Sequence, residues 1–236
     1  MLIVTVLLVS VAVFVITESS PGNIAKNVLG AFITPEQETS FLTQMGLDKP
    51  AYLRYVFWLV GSDWYATHKS GLKFARVENS QGFDEWWALD EKDRNVRWKL
   101  EGDNLVALIR QTDGSVLKEI DNNRWRTDTK GQTFFWGMDH QNRVVKWQKG
   151  ADSESWTFLE GMGWQKASGA PTDYIPMRKG ILRLDPGVSL RTGRPVGPTL
   201  MVRLRNSMVL AGLAIVIIMP IALFLGIISG LNEGTW

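Results

Sequence analysis

Few residues in this chain are placed for chemistry. Its only histidines are His68 and His140, and neither has a ligand-spaced partner nearby, so both read as surface histidines rather than a metal site. Two Asp/Arg pairs, Asp90/Arg94 and Asp139/Arg143, have the residue types for acid–base work. The same spacing suits a hairpin turn opened by Asp, with Arg on the returning strand, and that reading accounts for both pairs. Nine of the eleven tryptophans fall between Trp64 and Trp164 and could form a stacking surface for sugars or peptides. Core filling and cross-strand pairing in a small β-domain account for most of them. Arg124 and Arg126 flank Trp125, which offers a cation–π contact. No GxxxxGK[ST] loop, G-x-S-x-G elbow or HExxH helix occurs. With no cysteine, disulfides, thiolate zinc sites and cysteine nucleophiles are excluded. No catalytic, cofactor or metal residue is assigned, and an extracytoplasmic enzyme on a membrane anchor is the weakest functional reading.

The elements that carry these residues change character along the chain. From about Trp64, β-rich runs alternate with turn residues: LKFARV, EWWAL, NVRWKL, NLVALIR, SVLKEI, RWRT, QTFFWGM, RVVKWQ and SWTFLE. Asp113-Gly114 between two runs is a hairpin signal. Gly82, Trp87, Asp90, Arg94, Val96 and Trp98 recur as Gly131, Trp136, Asp139, Arg143, Val145 and Trp147, always 49 residues on. The echo predicts a duplicated β-meander, and short turns make its strands antiparallel. Two copies cannot close a propeller, so a small sandwich, barrel or meander domain is expected over 62–183.

Ahead of it, Thr34-Pro35-Glu36-Gln37 predicts a capped helix start, with Phe41, Leu42 and Met45 as its apolar stripe and Gly46 as its stop. Pro50 opens a second helix. Its Leu53, Val56, Phe57 and Val60 recur at helical spacing, and Tyr52, Tyr55 and Trp58 suit a membrane interface.

Charge is confined to the middle. All 26 Lys and Arg lie between Lys26 and Arg205, while residues 1–17 and 206–232 carry no charge. The near-zero mean hydropathy of −0.05 therefore averages two apolar ends with a polar centre, which excludes a simple soluble globule. The centre carries 26 basic against 23 acidic residues, so charge-driven nucleic-acid binding is excluded as well. Leu2–Thr17 spans roughly 24 Å as a helix. It reads as a membrane helix over a cleaved signal, since no basic residue precedes it and VITESSPG lacks a small-x-small cleavage site. The missing basic flank predicts a natural start further upstream. Met208–Ser229 is long enough to span, with a kink at Pro220. Ala222, Gly226 and Gly230 form a small-xxx-small stripe for packing another helix.

The expected architecture is thus an α+β membrane protein, with two transmembrane helices enclosing a long extracytoplasmic segment and an inserted antiparallel β-rich domain. Its parts are a first span (1–18), a helical segment (19–61), a Trp-rich β-domain (62–183), an amphipathic pre-membrane segment (184–207), a second span (208–230) and a cytoplasmic turn (231–236). Arg203 and Arg205 beside the second span would put the middle in the cytoplasm, but a loop this long translocates largely regardless of charge.

The flanks of the β-domain resemble the start of a bacterial ABC-importer permease of the dipeptide/oligopeptide/nickel class, B-type subunit. The resemblance rests on a first span leading into Pro21-Gly22, then Thr34-Pro35-Glu36-Gln37, Gly46-Leu47-Asp48, Pro50, Tyr55 and Trp58. After the insert it continues with Gly187, Ser189, Thr192-Gly193, Pro195-Val196, Arg203-Leu204 and Gly230-Leu231. These blocks cover about residues 5–60 and 184–236, a little under half the chain. The resemblance implies the bacterial inner membrane, residues 18–207 outside, and an alternating-access transporter for peptides or similar solutes. Its partners would be the lipid bilayer, a second permease subunit, cytoplasmic ATPase subunits and an extracytoplasmic solute-binding protein. Such permeases have six spans and an EAA-like coupling loop. Two spans and no such loop imply a fragment or a split subunit. The family joins the Trp58 helix to the Gly187 block by a few residues, so the resemblance is silent on the insert. The alternative is a two-span membrane protein whose β-domain senses or binds a ligand without transport.

Overall fold

The computed structural model describes residues 1–18, 24–78, 84–151, 155–159, 163–167, 169–189 and 195–231. It is a mixed α+β structure that divides into two compact units, Met1–Asp185 and Pro186–Trp236.

The first unit opens with α1 (Leu2–Glu18), an apolar helix of 17 residues. Then come α2 (Ile24–Leu29), α3 (Pro35–Gln44), α4 (Ala51–Leu59) and α5 (Asp63–Ser70). The start of α3 follows the local chemistry. The Thr34 side chain accepts from the Gln37 backbone N–H, and the Gln37 side chain accepts from the Thr34 N–H. Its end is a left-handed Gly46, φ 69°, whose N–H bonds Thr43 O, while the Leu47 N–H bonds Leu42 O. That pair of bonds is the Schellman arrangement, which a Cβ at position 46 would strain. Helix α5 falls where β texture was expected to begin.

Eleven antiparallel strands follow among the described residues. β1 (Lys73–Glu78), β2 (Asp84–Leu89), β3 (Asn95–Glu101), β4 (Asn104–Arg110) and β5 (Val116–Ile120) form a five-stranded sheet in chain order. β6 (Arg126–Thr127), β7 (Thr133–Met138), β8 (Arg143–Gln148) and β11 (Pro171–Pro176) form a four-stranded sheet in the order β11-β8-β7-β6. β9 (Trp156–Leu159) and β10 (Gly163–Lys166) make a separate hairpin. The sequence echo is a structural duplication: an offset of 49 carries Asp84–Leu89 of β2 onto Thr133–Met138 of β7. Gly82 of that echo lies outside the described residues. One apolar core spans both sheets. Trp98 of β3 meets Phe135 of β7 edge-on at 5.3 Å, and Phe135 stacks on Trp147 of β8 at 5.7 Å.

In the second unit, α6 (Val196–Leu231) is one helix of 36 residues running through Pro220. It alone among the described helices is long and apolar enough to cross a membrane. At about 1.5 Å per residue it exceeds a 30 Å hydrocarbon core, so its first turns, with Arg203 and Arg205, extend past the apolar stretch.

Candidate functional site

Of the resemblance-carrying residues of the first block, Gly46, Leu47, Tyr55 and Trp58 gather at one place. The Gly46-Leu47-Asp48 turn leads to Pro50, which caps α4. From α4, Tyr55 packs its ring on Phe14 of α1 at 5.1 Å and on Trp58 at 5.9 Å. Its hydroxyl lies 3.2 Å from the Ser10 Oγ. The Arg54 guanidinium pairs with the Glu18 carboxylate at the end of α1. Next to Asp48, the Lys49 ammonium is largely buried and pairs with Asp173 of β11. Burial would lower its pKa, but the carboxylates of Asp173 and Asp48 outweigh burial and raise it.

These contacts leave a cavity of about 460 Å³ between α1, α4 and the end of β11. Val13, Phe14, Leu47, Phe57 and Trp58 give it apolar walls. Glu18, Arg54 and Arg178 add charged residues to its lining. Burial pushes the Arg178 guanidinium below its ordinary value, with the Asp185 carboxylate opposing that shift. Among the described residues, the buried Arg54 Nε has no hydrogen-bond partner.

Beside the cavity the two ends of the β-domain meet. The Ser62 N–H donates to Arg178 O at 3.1 Å. The Ser62 Oγ donates to Pro176 O at 2.6 Å and accepts from the Arg178 N–H at 2.9 Å. Gly61 and Gly180, both with positive φ, cross at backbone distance: a Cβ on Gly61 would lie 2.5 Å from Lys179 O, and one on Gly180 2.5 Å from Gly61 N. Only glycine fits either position.

A second cavity of about 240 Å³ lies in the β-domain against Trp98, Trp147, Tyr174, His140 and Arg143. Asp139 organises its rim. Its Oδ1 accepts from the Gln141 and Arg143 N–H groups, and its Oδ2 accepts from Arg143 Nε at 2.7 Å. Asp90 repeats this with the Lys92 and Arg94 N–H groups and Arg94 Nε. Both pairs are therefore turn clamps. The copies differ in setting. Arg94 is 37% exposed, whereas Arg143 is 8% exposed, stacks on Tyr174 and donates to Gln44 Oε1 of α3 at 2.8 Å. Gln44 in turn donates to Trp156 O, and the Trp156 N–H donates to Ser40 Oγ. Trp86, Trp87, Trp98 and Trp147 are buried in the fold. The cation over Trp125 is Lys149 at 4.9 Å, and Arg124 lies over Trp98 instead, which corrects the expected Arg124–Trp125–Arg126 arrangement.

In the second unit, the Val196 N–H donates to Gly187 O, and Val188 bridges Pro195 just before α6, with Ser189 between them in the chain. Ala222, Gly226 and Gly230 lie along one face of α6, where Ala222 and Gly226 line a shallow groove. Pro21, Gly22 and Gly193 lie outside the described residues. Sequence reasoning missed Ser40, Gln44, Gly61, Ser62, Arg178 and Gly180. Only Gly61-Ser62-Asp63 carries a local signal, the start of α5. No cluster of metal-ligating side chains occurs among the described residues. Compared with known protein families, characterised proteins and solved structures, the chain has no significant match.

Proposed function

We propose that the chain is a transmembrane permease subunit, or the N-terminal part of one, of an ABC importer for peptides or similar small solutes. In this reading it lies in a bacterial inner membrane with residues 18–207 outside. Separate ATPase subunits drive transport, a second permease subunit packs on the Ala222/Gly226/Gly230 face, and the β-domain docks the solute-binding protein. The observation that carries the reading is the neck at Gly61–Ser62 and Arg178–Gly180. A domain whose ends adjoin can be inserted into a pre-existing loop without pulling that loop apart. Removing residues 62–179 would leave Gly61 beside Gly180, restoring the short connection that the resembling family uses. The resemblance-carrying residues lie on both sides of that cut.

The test removes residues 62–179 from the intact transporter and joins Gly61 to Gly180. Accumulation of the shortened subunit in the membrane, with labelled-peptide uptake reduced about tenfold and the solute-binding protein bound more weakly, is the expected result. Unchanged uptake and unchanged binding-protein affinity would reject the docking role. A wild-type chain that supports no uptake with any co-encoded ATPase would reject transport. It would favour the two-span ligand sensor, for which the aromatic cavity beside Arg143 is the natural site.

A further inference from the structure

We propose that strand β5 is a docking edge that takes up an extended segment of a partner protein, one in which an acidic residue stands between apolar residues. β5 is the last strand of its sheet, and among the described residues no strand pairs with its outer side. The Gln111 N–H donates to Ser115 O, and the Asp121 N–H donates to Leu105 O. With the register of β4 and β5, these bonds turn the N–H and C=O groups of Leu117 and Glu119 toward β4. Those of Val116, Lys118 and Ile120 therefore point away from the sheet, with no partner among the described residues. Outward backbone groups on alternate residues are a template for a further strand. The usual obstructions do not apply to β5. It contains no proline, its register with β4 has no bulge, and each of its residues is exposed.

The side chains select the occupant. Ala107 and Ile109 of β4 belong to the core, so Val106, Leu108 and Arg110 lie on the outer face, with Ile120, Lys118 and Val116 opposite them. Arg110 is thus diagonal to Lys118, and its guanidinium lies over the Trp87 ring. Neither cation has an ion-pair partner among the described residues: Glu119 pairs with Arg94, and Glu101, which feels the Lys118 charge, pairs with Lys99. A strand laid against β5 meets apolar, basic and apolar side chains in turn, and a carboxylate at its centre complements them. A second copy fits badly, because the two-fold register that pairs the whole strand sets Lys118 against Lys118. None of the cavities described above is lined by β5, so none of them encloses the charged ends of a free peptide there. A segment inside a protein has no such ends. The inference does not depend on transport.

The test follows amide hydrogen exchange over residues 115–121 of the full chain in neutral detergent as peptide is added. The probes are Thr-Val-Thr-Glu-Thr-Val-Thr with blocked ends, the same peptide with Lys in place of Glu, and the Glu peptide with free ends. Two variants accompany the wild type. Lys118→Pro removes an N–H that points away from the sheet, so the bonds to β4 stay while an added strand is obstructed. Lys118→Glu inverts the central charge. The expected result is protection by the blocked Glu peptide at a concentration at least about fivefold lower than by the Lys peptide. That order reverses in Lys118→Glu, and neither peptide protects Lys118→Pro. Should Lys118→Pro not fold, the charge reversal decides alone. No protection of the wild type, equal protection by the two blocked peptides, or protection retained in Lys118→Pro would overturn the proposal. A free-ended Glu peptide acting at lower concentration than the blocked one would overturn the protein assignment and make a free peptide the occupant. A wild-type dimer that Lys118→Pro dissociates would overturn it in favour of a second copy.

Discussion

Replacing Asp90 and Asp139 by alanine, one at a time, puts the duplicated turn under a controlled comparison. Both carboxylates accept two backbone N–H groups and the Nε of an Arg four residues on. Loss of the turn bonds is therefore common to both variants and cancels in the difference. What differs is the fate of the abandoned arginine. Arg94 is 37% exposed, so water replaces its partner, and the variant loses about 1–2 kcal/mol in all. Arg143 is 8% exposed and keeps only Gln44 Oε1 and the Tyr174 face. Removing one partner of a buried pair costs about 3–5 kcal/mol. The two variants should thus differ by roughly 2–3 kcal/mol, and a unit of this size shifts its midpoint by about 2–4 °C per kcal/mol. The gap in melting temperature is about 4–12 °C. Tryptophan fluorescence during heating of the detergent-solubilised chain reads it out, since Trp98 and Trp147 sit in the shared core. Equal midpoints, or Asp90→Ala the less stable, would refute the claim that burial against α3 separates the two copies.

Three further outcomes follow from the same geometry. Gly61→Ala and Gly180→Ala each place a methyl 2.5 Å from backbone at a positive φ, so each should lower the melting temperature well beyond Gly114→Ala, where φ is +85° but nothing lies within 4 Å. Midpoints equal to that of Gly114→Ala would mean the neck can open freely. Burial alone would raise the Asp90 carboxyl, but hydrogen bonds from the Arg94 and Lys92 N–H groups and the Arg94 side chain outweigh it and hold the pKa down. Its stabilisation is then complete above about pH 4 and lost as pH falls through the lowered folded value, so Asp90→Ala should flatten the acid limb of a stability–pH curve. An unaltered acid limb counts against it. A single cysteine replacing Gly114 should react with an impermeant maleimide on intact cells, and one replacing Gly234 should not. Protection at 114 would invert the proposed orientation.

Local chemistry was legible where one short stretch settles the outcome. The capping box at Thr34, the Gly46 stop and the Asp113-Gly114 hairpin need only neighbours along the chain, and all three are present. The echo at 49 residues was legible because paired turns demand the same side chains. Helix α5 was not: DWYATHKS buries only Ala66, has no apolar stripe, and its Trp and Tyr read as strand. Its true signals are Asp63 in the first turn and the left-handed Gly71 stop, since the Ser62 hydroxyl bonds Pro176 and Arg178 and does not cap the helix. β11 begins and ends in proline, which masks a strand whose partner β8 lies well upstream. The neck and the Gln44–Arg143 link join residues 116 and 99 positions apart. Periodicity reports which face of an element is buried, not what buries it, so neither could be read from the chain alone.

That distinction bears on what the β-domain does. It is fastened to the helical part at the Gly61/Gly180 neck, through Ser40 and Gln44 of α3, and by the Lys49–Asp173 ion pair, so within the first unit it is clamped rather than tethered. A docking platform needs only its outer surface, and a modest loosening of the clamp leaves that surface unchanged. A gate needs the clamp itself, because motion must pass through it. Gln44→Ala separates the two: it removes the bonds to Arg143 and Trp156 from a buried position, without altering any exposed group. Docking predicts uptake and binding-protein affinity both within about twofold of wild type, since a perturbation off the interface changes little. Uptake that falls about tenfold at retained affinity would instead make the α3 clamp part of the transport cycle.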